Sequence, residues 1–312
     1  MAPPKEPAHW LDEYGSKEYQ WQVKEQHSRR TYYRPLGLVE STFDADGRYF
    51  EGRADMNAQL DVEVRVSFEN VDYRERVLFA WTCLRCKHLL LQAKTAPTSQ
   101  LYGQTTIAGS NMCFQVNPPT NISQAVEAAG QQLVFLSDHF NEIDPSDFWT
   151  HCQNTARALD PERALCRLFV HRLKHIDNGR SILRFLRVSA HQIEDGLTTY
   201  TWFRDFVAFL NMPVPELRIR LKELMEPVAL FKRLPLPQEA LYPVISGSQA
   251  KQRWFWLLTR ILRHVRKPLR AGFDNPLIRK QPRHKAVLPP PTYAPVLNYN
   301  APPLLNALRL SV

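Results

Sequence analysis

Three residues that lie close together in the chain can do chemistry: His191, Asp195 and Gly196, spaced His-x-x-x-Asp-Gly. An imidazole takes and returns a proton near neutral pH. A carboxylate four residues on can hold a loop, either by accepting backbone N–H groups or by pairing with a cation. The glycine after it frees the backbone at a tight strand-to-helix turn. The same six residues also suit a core histidine beside a turn carboxylate, so the elements that position them decide between the readings.

Residues 182–190, ahead of the histidine, read Ile-Leu-Arg-Phe-Leu-Arg-Val-Ser-Ala, a buried strand. Ala164 to Leu173 and Ser181 to Ala190 form an expected strand pair, joined by the hairpin sequence Asp177-Asn178-Gly179-Arg180. His191 is therefore expected in a loop after a central strand, held by rigid elements on both sides. The helix expected after it, Leu197 to Asn211, is apolar on nearly every side, which predicts burial.

Further out, residues 1–30 read as a polar arm or short helix carrying Trp10, Tyr19 and Trp21. Pro35, Gly37, Gly47 and Gly52 point to strands and turns between 33 and 60 rather than helix. Leu60 to Phe68 alternates as a half-buried strand, and Asp72 to Ala93 has helical spacing. Gln104 to Val116 reads as strand. Ser123 to Gln132, Ser146 to Leu159 and Glu216 to Leu230 read as helices. These alternating elements predict an α/β fold with one mixed sheet through residues 60–211.

Five cysteines, Cys83, Cys86, Cys113, Cys152 and Cys166, are odd in number and scattered, which speaks against a disulfide framework. Cys83-x-x-Cys86 has no partner pair at zinc spacing, so structural thiols and no metal are expected. His171 and His175 are four apart, but on a hairpin with no third ligand in view. His88 sits among leucines and reads as packing. No apolar run approaches the roughly 18 residues of a membrane span, and the N-terminus has no apolar signal core, so the expected location is cytoplasmic.

The net charge of +9 is local: eleven Lys and Arg but one acid, Asp274, lie between Lys251 and Lys285. The basic helix expected from Gln249 to Val265 has three functional readings: coenzyme A phosphates, nucleic acid or an anionic membrane surface. No nucleic-acid motif accompanies it, and no nucleic-acid partner is expected. Favoured over all three is a solvated basic face with Trp254, Trp256, Leu257 and Ile261 buried beneath. No Gly-x-Ser-x-Gly elbow, phosphate-binding loop or dinucleotide fingerprint is present.

His191-x-x-x-Asp195-Gly196, at the end of an apolar strand and before a helix, resembles the active-site motif of the condensation-domain and BAHD superfamily of acyltransferases. Leu84-Arg85-Cys86-Lys87-His88-Leu89-Leu90 looks like that superfamily's early helix. Arg34-Pro-Leu-Gly37, Gly52-Arg-Ala-Asp-Met56, Leu241 to Gly247 and Arg253-Trp-Phe-Trp256 are similar to the fungal trichothecene 15-O-acetyltransferase type. The resemblance covers roughly residues 30–300. It implies a chloramphenicol-acetyltransferase-like lobe in residues 31–230, between the arm (1–30) and a basic, proline-rich exit segment (231–312). It implies acetyl-CoA as acyl donor, a small-molecule alcohol as acceptor, and His191 as general base. It gives Asp195 a structural role through an arginine partner and makes Gly196 the provider of room beside the histidine. Condensation domains often carry two adjacent histidines; here the first is Ala190, and BAHD enzymes need only one. The BAHD Asp-Phe-Gly-Trp-Gly motif is absent, and the second lobe of the superfamily is expected to be missing. The rival expectation is a non-catalytic, truncated homologue that binds a small molecule or a protein. The face left open would favour a homodimer or a partner protein.

Overall fold

The computed structural model describes residues 20–26, 29–50, 52, 54–64, 73–99, 112–154, 157–176, 179–237, 248–251, 253–254, 257–258, 261 and 293–297. The expectations for the arm up to residue 19, the strand end at 65–68, the strand before residue 112, Asp177-Asn178, residues 241–247, Trp256 and the proline-rich segment at 262–292 and 298–312 lie outside them.

Two sheets form. The smaller has the order β1-β2-β5-β4, built from β1 (Gln22–Gln26), β2 (Arg29–Pro35), β4 (Lys94–Pro97) and β5 (Met112–Val116), all antiparallel. The larger has the order β3-β9-β7-β6, from β3 (Met56–Val64), β6 (Leu133–Phe135), β7 (Cys166–Val170) and β9 (Ser181–Ser189). The two-residue β8 (Lys174–His175) also pairs with β9. β9 runs antiparallel to both β3 and β7, whereas β6 runs parallel to β7, so this sheet is mixed.

The helices are α1 (Leu38–Tyr49), α2 (Tyr73–Lys87), α3 (Ile122–Gly130), α4 (Pro145–Asn154), α5 (Gly196–Leu210), α6 (Val214–Met225) and the short α7 (Pro227–Phe231) and α8 (Ala294–Leu297). All ten residues from Val77 to Cys86 of α2 are buried, packed by α3, α5 and α6. α5 meets both α2 and the sheet through Phe206, whose ring centroid is 5.0 Å from that of Phe185 on β9 and 6.4 Å from that of Trp81 on α2. Each such fully buried aromatic stabilises the fold by about 1.5–3 kcal/mol.

The α/β class holds, but a single sheet through residues 60–211 does not. Strands β2 and β4 both pair with β5 and end in Pro35 and Pro97, which lack the N–H needed to extend a ladder, and neither pairs with a strand of the larger sheet. Residues 38–49, expected to be strand and turn, form α1. Its start is fixed by tertiary contacts: buried Arg34 holds Glu40 through two 2.8 Å hydrogen bonds, and Glu40 also accepts the Gly37 N–H at 2.7 Å. Residues 22–30, expected as part of the arm, enter the hairpin β1-β2, whose end at 33–35 agrees with the strand or turn expected there; Trp21 donates its indole N–H to the Pro235 carbonyl at 2.6 Å. The helix expected to end at Ala93 stops at Lys87, and Lys94 onward is strand. Pro227 splits the helix expected through Leu230 because it cannot donate to the preceding turn.

Two burial expectations fail. Leu197 and Tyr200 at the start of α5 are 78% and 75% exposed, while Trp202, Phe206 and Phe209 are buried. Trp254, Leu257 and Ile261 of the basic helix are also exposed. Spacing names a helix face but not what covers it. Among the described residues no helix is long and apolar enough to cross a membrane.

His171, just past β7, is buried with its ring edge-on to Phe148. Burial, and then the charge of Arg184, push its imidazole down to about 4 from an ordinary 6.5. Between those values the unfolded chain binds a proton that the folded chain refuses, so stability falls as pH drops from 6.5 toward about 4. The loss attributable to His171 reaches about 3 kcal/mol. Urea unfolding at several pH values should show a shallower acid limb for His171→Gln; an unchanged limb would assign the acid sensitivity elsewhere.

Candidate active site

Central strand β9 delivers His191 to its carboxyl end. The Ala190 N–H donates to the Leu165 carbonyl at 2.8 Å, which ties the strand end to the segment entering β7. Residues His191–Ile193 then make one 3-10 turn, and α5 begins at Gly196. This agrees with the loop expected after a central strand.

The half-buried imidazole is held on two sides. Its Nδ1 lies 2.8 Å from the Glu194 carbonyl oxygen. A carbonyl only accepts, so Nδ1 carries the proton, and in the neutral ring Nε2 presents a bare lone pair. One ring face stacks on Phe43 of α1, with centroids 3.9 Å apart and planes 14° from parallel. An imidazole fixed in tautomer and plane can take a proton at Nε2 and later return it.

Beneath the turn lies a buried polar cluster. Arg187 on β9 donates through Nη2 to the Glu194 carboxylate and, at 3.0 Å, to Thr199 Oγ1. Ser189 and Thr199 also donate to Glu194. The Arg187 guanidinium carbon sits 4.7 Å from the Trp202 ring centroid and 5.1 Å from that of Phe203. Burial raises the Glu194 carboxyl above its usual range, while Arg187, Ser189, Thr199 and His191 pull it back. Glu194 is the residue that sequence reasoning missed. Its only signal was a second acid beside Asp195, next to a strand whose inward face carries an arginine.

Asp195 is not the arginine's partner. It is exposed and serves as the N-cap of α5, accepting the Thr198 N–H at 2.7 Å. Hydrogen bonds from Thr198 hold its carboxyl below the usual range. Gly196 also departs from expectation. It is the first residue of α5, is not among the positive-φ glycines, and a Cβ there would meet nothing within 4 Å. Neither backbone freedom nor protein packing requires glycine at that position.

The other candidates lie apart. His88 sits 2.7 Å from Asp205, which Lys87 also reaches at 2.8 Å; burial keeps the imidazole below its ordinary value despite the carboxylate. His175 bonds Ser181 at 3.0 Å. All five thiols are unpaired and buried, and desolvation pushes Cys83, Cys113, Cys152 and Cys166 up to about 12 and Cys86 to about 11. Among the described residues no group of three or more potential ligands could hold a metal. A cavity of about 920 Å3 opens between β2, the start of α3 and the α6–α7 junction, lined by Tyr32, Ile122, Lys222 and Leu230 among others. His191 does not line it.

No protein-family model and no curated protein sequence matches the chain. The fold does match a solved structure, trichothecene 15-O-acetyltransferase from Fusarium sporotrichioides, with TM-score 0.51 and 14% identity over 79% of this chain. The chain spans about half of that protein, 48% of its length. The two proteins thus share a fold. Chloramphenicol acetyltransferase aligns over 57% of this chain and 98% of its own at TM-score 0.29 and 10% identity. The cubic core of the pyruvate dehydrogenase multienzyme complex aligns over 67% and 97% at 0.31, also with 10% identity. Neither value bears on the fold.

The two neighbouring acids should respond differently to truncation. Glu194→Ala leaves Arg187 buried without its counter-charge and should cost about 3–5 kcal/mol. Asp195→Ala removes a helix cap and should cost about 1 kcal/mol, with Asp195→Asn close to wild type. Chemical denaturation checks this; equal losses would mean that Asp195 shares the arginine.

Proposed function

We propose that the chain is a CoA-dependent O-acyltransferase, moving an acetyl group from acetyl-CoA to a hydroxyl of a small secondary metabolite, with His191 as general base. The observation that carries this reading is the hydrogen bond from Nδ1 to the Glu194 carbonyl, which puts the proton of the neutral ring on Nδ1 and the accepting lone pair on Nε2, on a ring held flat by Phe43. The acyltransferase-type fold supports the reaction class, and the motif's resemblance supports the donor and the acceptor.

The thioester supplies an electrophilic acyl carbon. His191 Nε2 accepts the hydroxyl proton as that oxygen bonds to the carbon. The ring, now an imidazolium, donates through Nδ1 to Glu194 and through Nε2 returns the proton to the sulfur as the C–S bond breaks. The products are the ester and free CoA thiol. Phe43 and the Glu194 carbonyl hold the ring plane throughout, so little reorientation is needed. Glu194, Arg187 and Asp195 act on the shape of the turn.

A second reading, a binding module without turnover, draws on Leu197 and Tyr200, which stand exposed at the start of α5. A homodimer or a partner protein would be received on that apolar surface.

Release of CoA thiol from acetyl-CoA, followed colorimetrically with a panel of alcohols, separates the two. The acyltransferase reading expects turnover with at least one alcohol. His191→Ala should lower it by about 10²–10⁴-fold, the usual worth of a general base, with a nearly unchanged melting temperature. Full activity in His191→Ala would remove the base assignment. No turnover across the panel, together with a dimer in sedimentation, would favour the binding module.

A further inference from the structure

Helix α1 carries Phe43 to the imidazole, and both ends of the helix are pinned. At its start Arg34 grips Glu40. In its last turn Arg48 donates to Asp44 at 2.8 Å and to Thr95 of β4 at 2.6 Å. Between these lies Gly47, one turn beyond Phe43 and on the same side of the helix.

Gly47 is covered by Arg157, which comes from the segment between α4 and β7. A Cβ at Gly47 would stand 2.5 Å from Arg157 Nη2 and 2.7 Å from Cζ and Nη1, so the guanidinium lies directly on the helix backbone. The same arginine donates from Nε and Nη2 to the two carboxylate oxygens of Asp55, at 2.6 and 2.8 Å. Asp55 closes the turn that leaves α1. Gly52, at φ +70°, donates its N–H to the Gly47 carbonyl at 3.0 Å, and Asp55 donates to Gly52 at 2.9 Å. Gly52 is itself closed to any side chain by Asp55 and Arg157. β3 begins at the next residue, Met56, which pairs with Ser189, two residues before His191.

We propose that Arg157 is a positioning residue for His191: it sets how closely α1 approaches the turn and so fixes Phe43 against the imidazole. The proposal rests on the reading of His191 as the base. Packed interiors transmit such displacements because they have few voids to absorb them. The two glycines read as turn signals in the sequence are, on this account, the places where an arginine must lie against the backbone.

The test uses the full chain and the variants Gly47→Ala, Arg157→Gln and their double. The readouts are the imidazole 15N shifts of His191, from histidine-labelled protein, and kcat and KM separately. Gly47→Ala should push the guanidinium off the helix, move the 15N shifts away from the single Nδ1–H tautomer and lower kcat by about 10-fold, with KM changed less than about 2-fold. Arg157→Gln should do the same. In the Arg157→Gln background Gly47→Ala should add nothing, because the side chain it displaces is gone. Unchanged 15N shifts in either single variant, or additive effects in the double, would overturn the proposal. If Gly47→Ala does not fold, the Arg157→Gln shifts decide alone. If the wild type shows no turnover, the functional reading fails, while the 15N shifts still judge the positioning of the ring.

Discussion

The buried pair of Arg187 and Glu194 is the interaction on which the rest of the site depends. Arg187 belongs to the central strand and Glu194 to the turn after it, and Thr199 on the next helix bonds to both. Three successive elements are thereby tied at one point in a water-poor interior. Two such charges are costly to bury separately, so each holds the other in place. The indole of Trp202 and the ring of Phe203 flank the cation. The turn that presents His191 thus has a charged floor, and the Glu194 backbone carbonyl fixes the histidine while its side chain anchors the turn.

The ceiling is helix α1, which is built differently. Its apolar content is modest, and it is held by ion pairs: Arg34 from β2 to Glu40, Arg48 within the helix to Asp44 and across to Glu162, and Arg157 to the turn at Asp55. The consequence for chemistry is orientation. An imidazole gripped at Nδ1 and stacked on one face has a single direction left for Nε2, the geometry that the proposed general base needs.

The fold also separates tasks between its two sheets. The larger carries the motif strand at its centre, where both faces are covered. The smaller carries Arg34, whose side chain is fully buried beneath Trp21 and Phe114 and sets the start of α1.

Much of this was legible in the residues themselves. The apolar run of β9, the hairpin ahead of it and the alternation of strands and helices determined a histidine at the end of a central strand in an α/β fold, because period and turn chemistry are local. What stayed hidden depends on contacts between residues far apart in the chain. Glycines at 47 and 52 look like turn signals, yet Gly47 lies inside a helix, where Arg157, 110 residues away, occupies the space a side chain would take. The motif aspartate looks like the partner of an arginine, yet its neighbour Glu194 faces the interior and Asp195 faces water, a difference of one residue in the phase of a turn. The exposure of Leu197 and Tyr200 likewise depends on what lies against a helix. Sequence alone determined which residues could do chemistry and on which element they lie; the tertiary structure decided which carboxylate anchors the turn under the histidine and which of its nitrogens is held by a carbonyl, because both follow from direction and distance in space.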